Sequence, residues 1–142
     1  MTKYFTWKYI PWNINIFFIS LHQIKIYKMK RNKIIYYVTT GLLTALMLFS
    51  AGMYLFNNDA VQNMFISFGY PTYIIYPLAF AKLVGLFAIW NPNFKIIKEW
   101  AYAGFFFDFI LAFFAHYMIA DSGQTGSMIA MLLLIISYRY KK

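Results

Sequence analysis

Two apolar runs, each with a single charge near its middle, constrain this chain more than any other feature. Residues 73–90 (YIIYPLAFAKLVGLFAIW) carry Lys82, and residues 100–119 (WAYAGFFFDFILAFFAHYMI) carry Asp108. At 1.5 Å rise per residue either run crosses a hydrocarbon core of roughly 30 Å. Folded as an antiparallel hairpin about NPNFKIIKE, the runs put Trp90 and Trp100 at one interface, with Lys82 and Asp108 each eight residues further in. Eight residues of helix is roughly 12 Å, so the two charges reach the same depth. A charge at the centre of a span costs about 2.5–3.5 kcal/mol on insertion scales, which predicts that both face a bundle interior and pair. Such a pair has a structural reading, fixing which helix faces which. It also has a functional one, holding a quinone headgroup or a carboxylate, or passing a proton.

The composition agrees with a membrane environment. Of 142 residues, 62% are hydrophobic and 12% charged, where soluble domains have about 45–50% and about 25%. The net charge of +9 lies in short basic clusters beside apolar runs. That pattern is a topology signal and argues against nucleic acid as a partner. The absence of cysteine excludes a disulfide frame, a CxxC redox pair and thiolate metal sites within the chain. A redox role would therefore need a bound cofactor or a partner protein.

Residues 1–28 differ from the rest. Their apolar stretch, residues 14–21, is too short to span and is interrupted around Pro11, Asn13 and Asn15, and LHQIKIYK offers no signal-peptidase site. The segment reads either as an interfacial extension or as an over-long start, with Met29 (MKRNKIIYYV) as the first residue of a 29–142 membrane domain. The first span is expected at about 34–56, with Gly41, Ala45, Leu48 and Gly52 forming a small face turned into the bundle. Next, Asp59 and Gln62 have capping-box spacing, and Val61, Met64, Phe65 and Phe68 follow helical periodicity before Gly69 and Pro71. Either a short helix lying in the membrane interface or an ordinary loop capping the bundle fits. In the second span, about 73–90, Pro77 predicts a kink and Gly85 leaves room for the Lys82 stem. Spans three and four are expected at about 100–119 and 125–138, joined by the turn-rich DSGQTG.

Four spans leave five polar segments. Lys25, Lys28, Lys30, Arg31 and Lys33 lie in the first, Lys95 and Lys98 in the third, and Arg139, Lys141 and Lys142 in the fifth; the second and fourth have no Lys or Arg. By the positive-inside rule both termini are cytoplasmic. His116 then lies roughly 12 Å outward of Asp108, and with Asp121 and Asp59 it makes an outward-facing polar site: an anchor, a proton site or a metal site. Bis-histidine haem ligation is excluded, because the other histidine, His22, lies on the opposite side.

SAGMYLF at 50–56, GYPTYIIYPLAFAKLVGLFAIW at 69–90, KEWAYAGFFFDFILAFFAH at 98–116 and the Ala120–Asp121 step together resemble the DoxX-like membrane proteins over about residues 33–140. The resemblance implies an all-α integral membrane four-helix bundle, multi-pass, in the bacterial inner membrane; the short interfacial helix between spans one and two is the reading of the residues given above. It also implies an association with quinone-linked or oxidative-stress redox systems, and it marks Lys82, Asp108, His116 and Asp121 as the polar positions to carry over. The resulting expectation is a membrane subunit of a redox system, not an enzyme by itself. It would bind a quinone or similar apolar molecule and work with a redox partner protein or as a homo-oligomer. The alternative is a scaffold or small-solute carrier whose polar residues only hold the bundle together.

Overall fold

The structure, a computed structural model, describes residues 12–141, and Pro11 lies outside them. Those residues form five α-helices: α1 Trp12–Phe56, α2 Asn58–Ser67, α3 Ile75–Trp90, α4 Lys95–Met118 and α5 Gln124–Tyr140, with a 3₁₀ turn Thr72–Ile74 leading into α3. The chain divides into two compact units, residues 1–34 and 35–142. Three helical segments, residues 16–56, 72–90 and 95–118, are long and apolar enough to cross a membrane. Helix α5, at 17 residues, stands at the lower edge of the roughly 17–25 residues a crossing takes.

The 35–142 unit has an apolar core, but unlike a water-soluble domain it also exposes many large apolar side chains while burying several polar ones. Phe80, Phe87, Phe107, Leu111 and Phe114 are exposed, while Thr40, Lys82, Ser127 and Ser137 are buried. Water would reject such a surface; hydrocarbon solvates it and instead drives polar groups inward to find partners. One core cluster joins four helices: Leu43 and Met47 of α1, Leu86 and Ile89 of α3, Tyr102, Phe105 and Phe109 of α4, and Ala130 and Leu134 of α5. Buried hydroxyls tie the same helices together. Ser137 Oγ lies 2.6 Å from Thr40 Oγ1 and 2.7 Å from the Tyr102 hydroxyl, and nearer the surface the exposed Trp90 indole donates to Thr44 at 2.9 Å.

Several local expectations are corrected. Helix α1 begins at Trp12 and runs to Phe56 without the interruption expected around Asn13 and Asn15, containing the expected span 34–56. Asn13 and Asn15 fall in its first turn, where an asparagine does not interrupt an established ladder of hydrogen bonds. Its inward face is Thr40, Leu43, Met47 and Ala51, while Ala45 and Leu48 are exposed and a Cβ built on Gly41 or Gly52 meets nothing within 4 Å. The two faces are offset by a few residues, and here the inward one is chosen by the hydroxyls that need partners. Helix α2 starts at Asn58, so Asp59 is inside its first turn and caps nothing; Gln62 bonds to Asn58 instead. The helix does end at the predicted glycine. Gly69 takes φ +74°, its N–H donates to the Ile66 carbonyl at 3.0 Å and the Tyr70 N–H to that of Phe65 at 2.8 Å, the paired bonds of a Schellman end.

Pro77 kinks nothing. It is the third residue of α3, among the first four residues, whose N–H groups have no partner in their own helix, so its missing donor costs nothing there. Gly85 makes room for Phe105 of α4, not for the lysine: a Cβ there would lie 2.8 Å from the Phe105 ring.

Candidate functional site

Helices α3 and α4 bring the two mid-span charges together. Lys82 Nζ lies 3.4 Å from Asp108 Oδ2, with side chains 6% and 19% exposed. The Gly85–Phe105 contact lets α3 and α4 approach closely three residues along from each charge. Two α1 residues that the sequence reading did not single out complete the lysine's surroundings. Lys82 donates to Ser50 Oγ at 3.0 Å, and its ammonium sits 4.4 Å from the centre of the Tyr54 ring. Ser50 and Tyr54 lie four residues apart on one face of α1, the spacing that lets both reach one neighbour. Only the packing of α1 against α3 reveals them.

Asp108 lines two clefts. One, of about 320 Å³, lies against α3 and α4 and includes Lys82, Gly85, Trp100, Gly104 and Phe105. The other, of similar size, is walled by Tyr54, Phe65, Tyr70, Leu78 and Phe107 and also reaches His116. Asp108 and His116, eight residues apart on α4, therefore share a wall.

The end of α4 builds the second polar group. Ala120 takes φ +55°, and the chain closes with the paired bonds of a Schellman end: Ala120 N–H to the Tyr117 carbonyl at 3.2 Å and Asp121 N–H to the His116 carbonyl at 3.3 Å. This reversal carries Asp121 back onto the histidine, whose Nδ1 lies 2.8 Å from both carboxylate oxygens, and the Gly123 N–H donates to Asp121 Oδ1 at 2.9 Å. The Phe68 ring meets the imidazole edge-on at 4.9 Å between centres. Gly123 is required by contact, since a Cβ there would collide with the imidazole. The His116 hydrogen bond above all, with the Gly123 N–H assisting, holds the Asp121 carboxyl below its usual range against a smaller opposing effect of desolvation. Asp59, expected beside them, instead lies in the first turn of α2 and has no ion-pair or side-chain hydrogen-bond partner among the described residues. Those residues hold no group of three or more metal-ligating side chains.

An all-helical chain with an apolar exterior, buried hydroxyls and an ion pair between two apolar helices defines a multi-pass membrane protein with a polar site in its interior. More narrowly, the DoxX-like family model matches residues 38–138, and the chain belongs to that family. No curated protein and no solved structure matches it.

Proposed function

We propose that the protein is a four-span membrane bundle, α1, α3, α4 and α5 crossing and α2 lying in the interface. In it the Lys82–Asp108 site binds a quinone or similar apolar small molecule as part of a redox system. The observation carrying this reading is the ion pair beside two apolar clefts, one of them lined by both partners. Charges this expensive in hydrocarbon face either each other or a cavity; here they face both. No cysteine and no described metal cluster accompany the pair, so electron transfer would come from the bound molecule and a partner protein or a second copy of the chain. The alternation of segments with and without Lys or Arg supports a reading in which both termini are cytoplasmic, with a bacterial inner membrane as the proposed location.

One observation favours the scaffold reading: among the described residues no buried side-chain polar atom lacks a partner. That is what helix registry alone would produce. Small molecules extracted from purified wild type and from the folded Lys82→Met/Asp108→Leu variant, and identified by mass spectrometry, separate the two. A defined molecule present only in the wild type supports a binding site at the pair. Identical extracts, with the variant as stable as the wild type, support the scaffold.

A further inference from the structure

The two members of the ion pair are unequally satisfied, and this determines what a ligand must offer. An ammonium has three N–H donors and no acceptor. Lys82 donates one to Ser50 Oγ at 3.0 Å, and Asp108 Oδ2 at 3.4 Å as its ion-pair partner and the face of Tyr54 at 4.4 Å from Nζ enclose the rest of the ammonium. The lysine is also the more buried partner, at 6% exposure against 19%. A carboxylate, in contrast, has about four acceptor positions on its two oxygens. Asp108 Oδ2 is ion-paired with Lys82 at 3.4 Å, and its side chain accepts no hydrogen bond among the described residues. It is the one of the pair that lines both clefts. Asp108 alone of the pair faces the cleft walled by Tyr54 and shares the other cleft with Lys82, so the cavities meet an acceptor with spare capacity beside a cation already enclosed by Ser50, Tyr54 and the acid itself.

We infer that the Lys82–Asp108 site selects apolar ring ligands carrying a hydrogen-bond donor, such as a hydroquinone or other phenol, over acceptor-only molecules such as a quinone or a carboxylate. The inference rests on the reading that an apolar small molecule binds at this pair, and it specifies the chemistry of the end that meets it. A hydroxyl placed at Asp108 forms a charge-assisted bond in a low-dielectric setting, where such bonds are short and about twice as strong as neutral ones. A quinone carbonyl in the same place meets carboxylate oxygen with no donor free, and leaves both acceptors unpaired. Aromatic walls from Tyr54, Phe65, Tyr70 and Phe107 in one cleft, and Phe105 and Trp100 in the other, suit the ring in either orientation. The preference therefore comes from the acid and not from the walls.

The test is calorimetric titration of the full-length protein in lipid nanodiscs, without oxygen, with three decyl-substituted probes: a hydroquinone, its benzoquinone, and its dimethyl ether. The hydroquinone is expected to bind at least tenfold tighter than the other two, and Asp108→Asn, checked for folding by its melting curve, to remove that preference. Ser50→Ala provides a second line that leaves the acid in place. It frees one lysine donor, so benzoquinone binding should tighten relative to the wild type while hydroquinone binding stays within about twofold. Equal or tighter binding of the benzoquinone or the dimethyl ether by the wild type would overturn the donor preference yet leave binding at the pair standing. Binding of none of the three would overturn the binding reading itself.

Discussion

Lys82 shows how a single residue is tolerated in an unfavourable medium. Its ammonium has no cost-free position among hydrocarbon, and three contacts from two helices, Ser50, Tyr54 and Asp108, replace its water. Removing one member of such a pair leaves the other charge uncompensated, at a cost of about 3–5 kcal/mol for a buried pair; the partial exposure of Asp108 places this one at or below the lower end. Lys82→Met is therefore expected to destabilise by about 2–3 kcal/mol and Lys82→Met/Asp108→Leu by less than the single change, because the double variant buries no charge. Unfolding in mixed micelles measures this, and equal losses in both variants would show that the two side chains do not act as a pair. Asp121 is the opposite case, a carboxylate at the mouth of a turn outside the helices. Its folded pKa is depressed, chiefly by His116. The stability it adds is thus complete above the unfolded carboxylate value of about 3.9 and disappears as pH falls through the lower folded value. Melting curves of the wild type and Asp121→Asn should differ at neutral pH and converge in strong acid. A gap that persists in acid would mean that the side chain acts through something other than its charge.

At the scale of elements, helix ends explain more of the site than helix interiors. The closure of α4 on Ala120 is what returns Asp121 to His116, yet alanine in the left-handed region carries a steric cost that glycine does not. Ala120→Gly is expected to stabilise by about 0.5–1 kcal/mol with the His116–Asp121 contact intact. A loss of stability on thermal unfolding would show that the turn is held by contacts of the alanine methyl. The end of α2 was legible in advance because Gly69 is the residue such an end prefers. The end of α4 was not, because an alanine gives no warning of positive φ. Pro77 was misread for a related reason: proline's effect depends on its distance from the helix start, and the 3₁₀ turn that sets that distance leaves no mark in a run of apolar residues. In α1 the apolar periodicity is weak all round. A sequence of small residues at helical spacing therefore pointed to one face, while the need to pair Thr40 with Ser137 and Ser50 with Lys82 buried another.

For the whole molecule, the alternation of segments with and without Lys or Arg makes a directional claim. Reporters fused at either terminus should be active only on the cytoplasmic side, and one inserted between Gln62 and Gly69 only on the outer side; activity of a terminal fusion outside would invert the orientation. Length, apolar content and the placement of Lys82 and Asp108 at equal depth were properties of the sequence alone. They sufficed for an all-helical membrane chain, because hydrocarbon accepts little else and charges in it must meet. What only the tertiary structure decided was the third side of that meeting. Ser50 and Tyr54 enclose the rest of the lysine's ammonium and leave Asp108 facing the clefts. Periodicity along one helix specifies depth and face to within a residue or two. Which neighbour fills a given donor depends on how helices distant in sequence rotate against each other, and that is set by packing such as Gly85 against Phe105 and by hydroxyl pairing across the core.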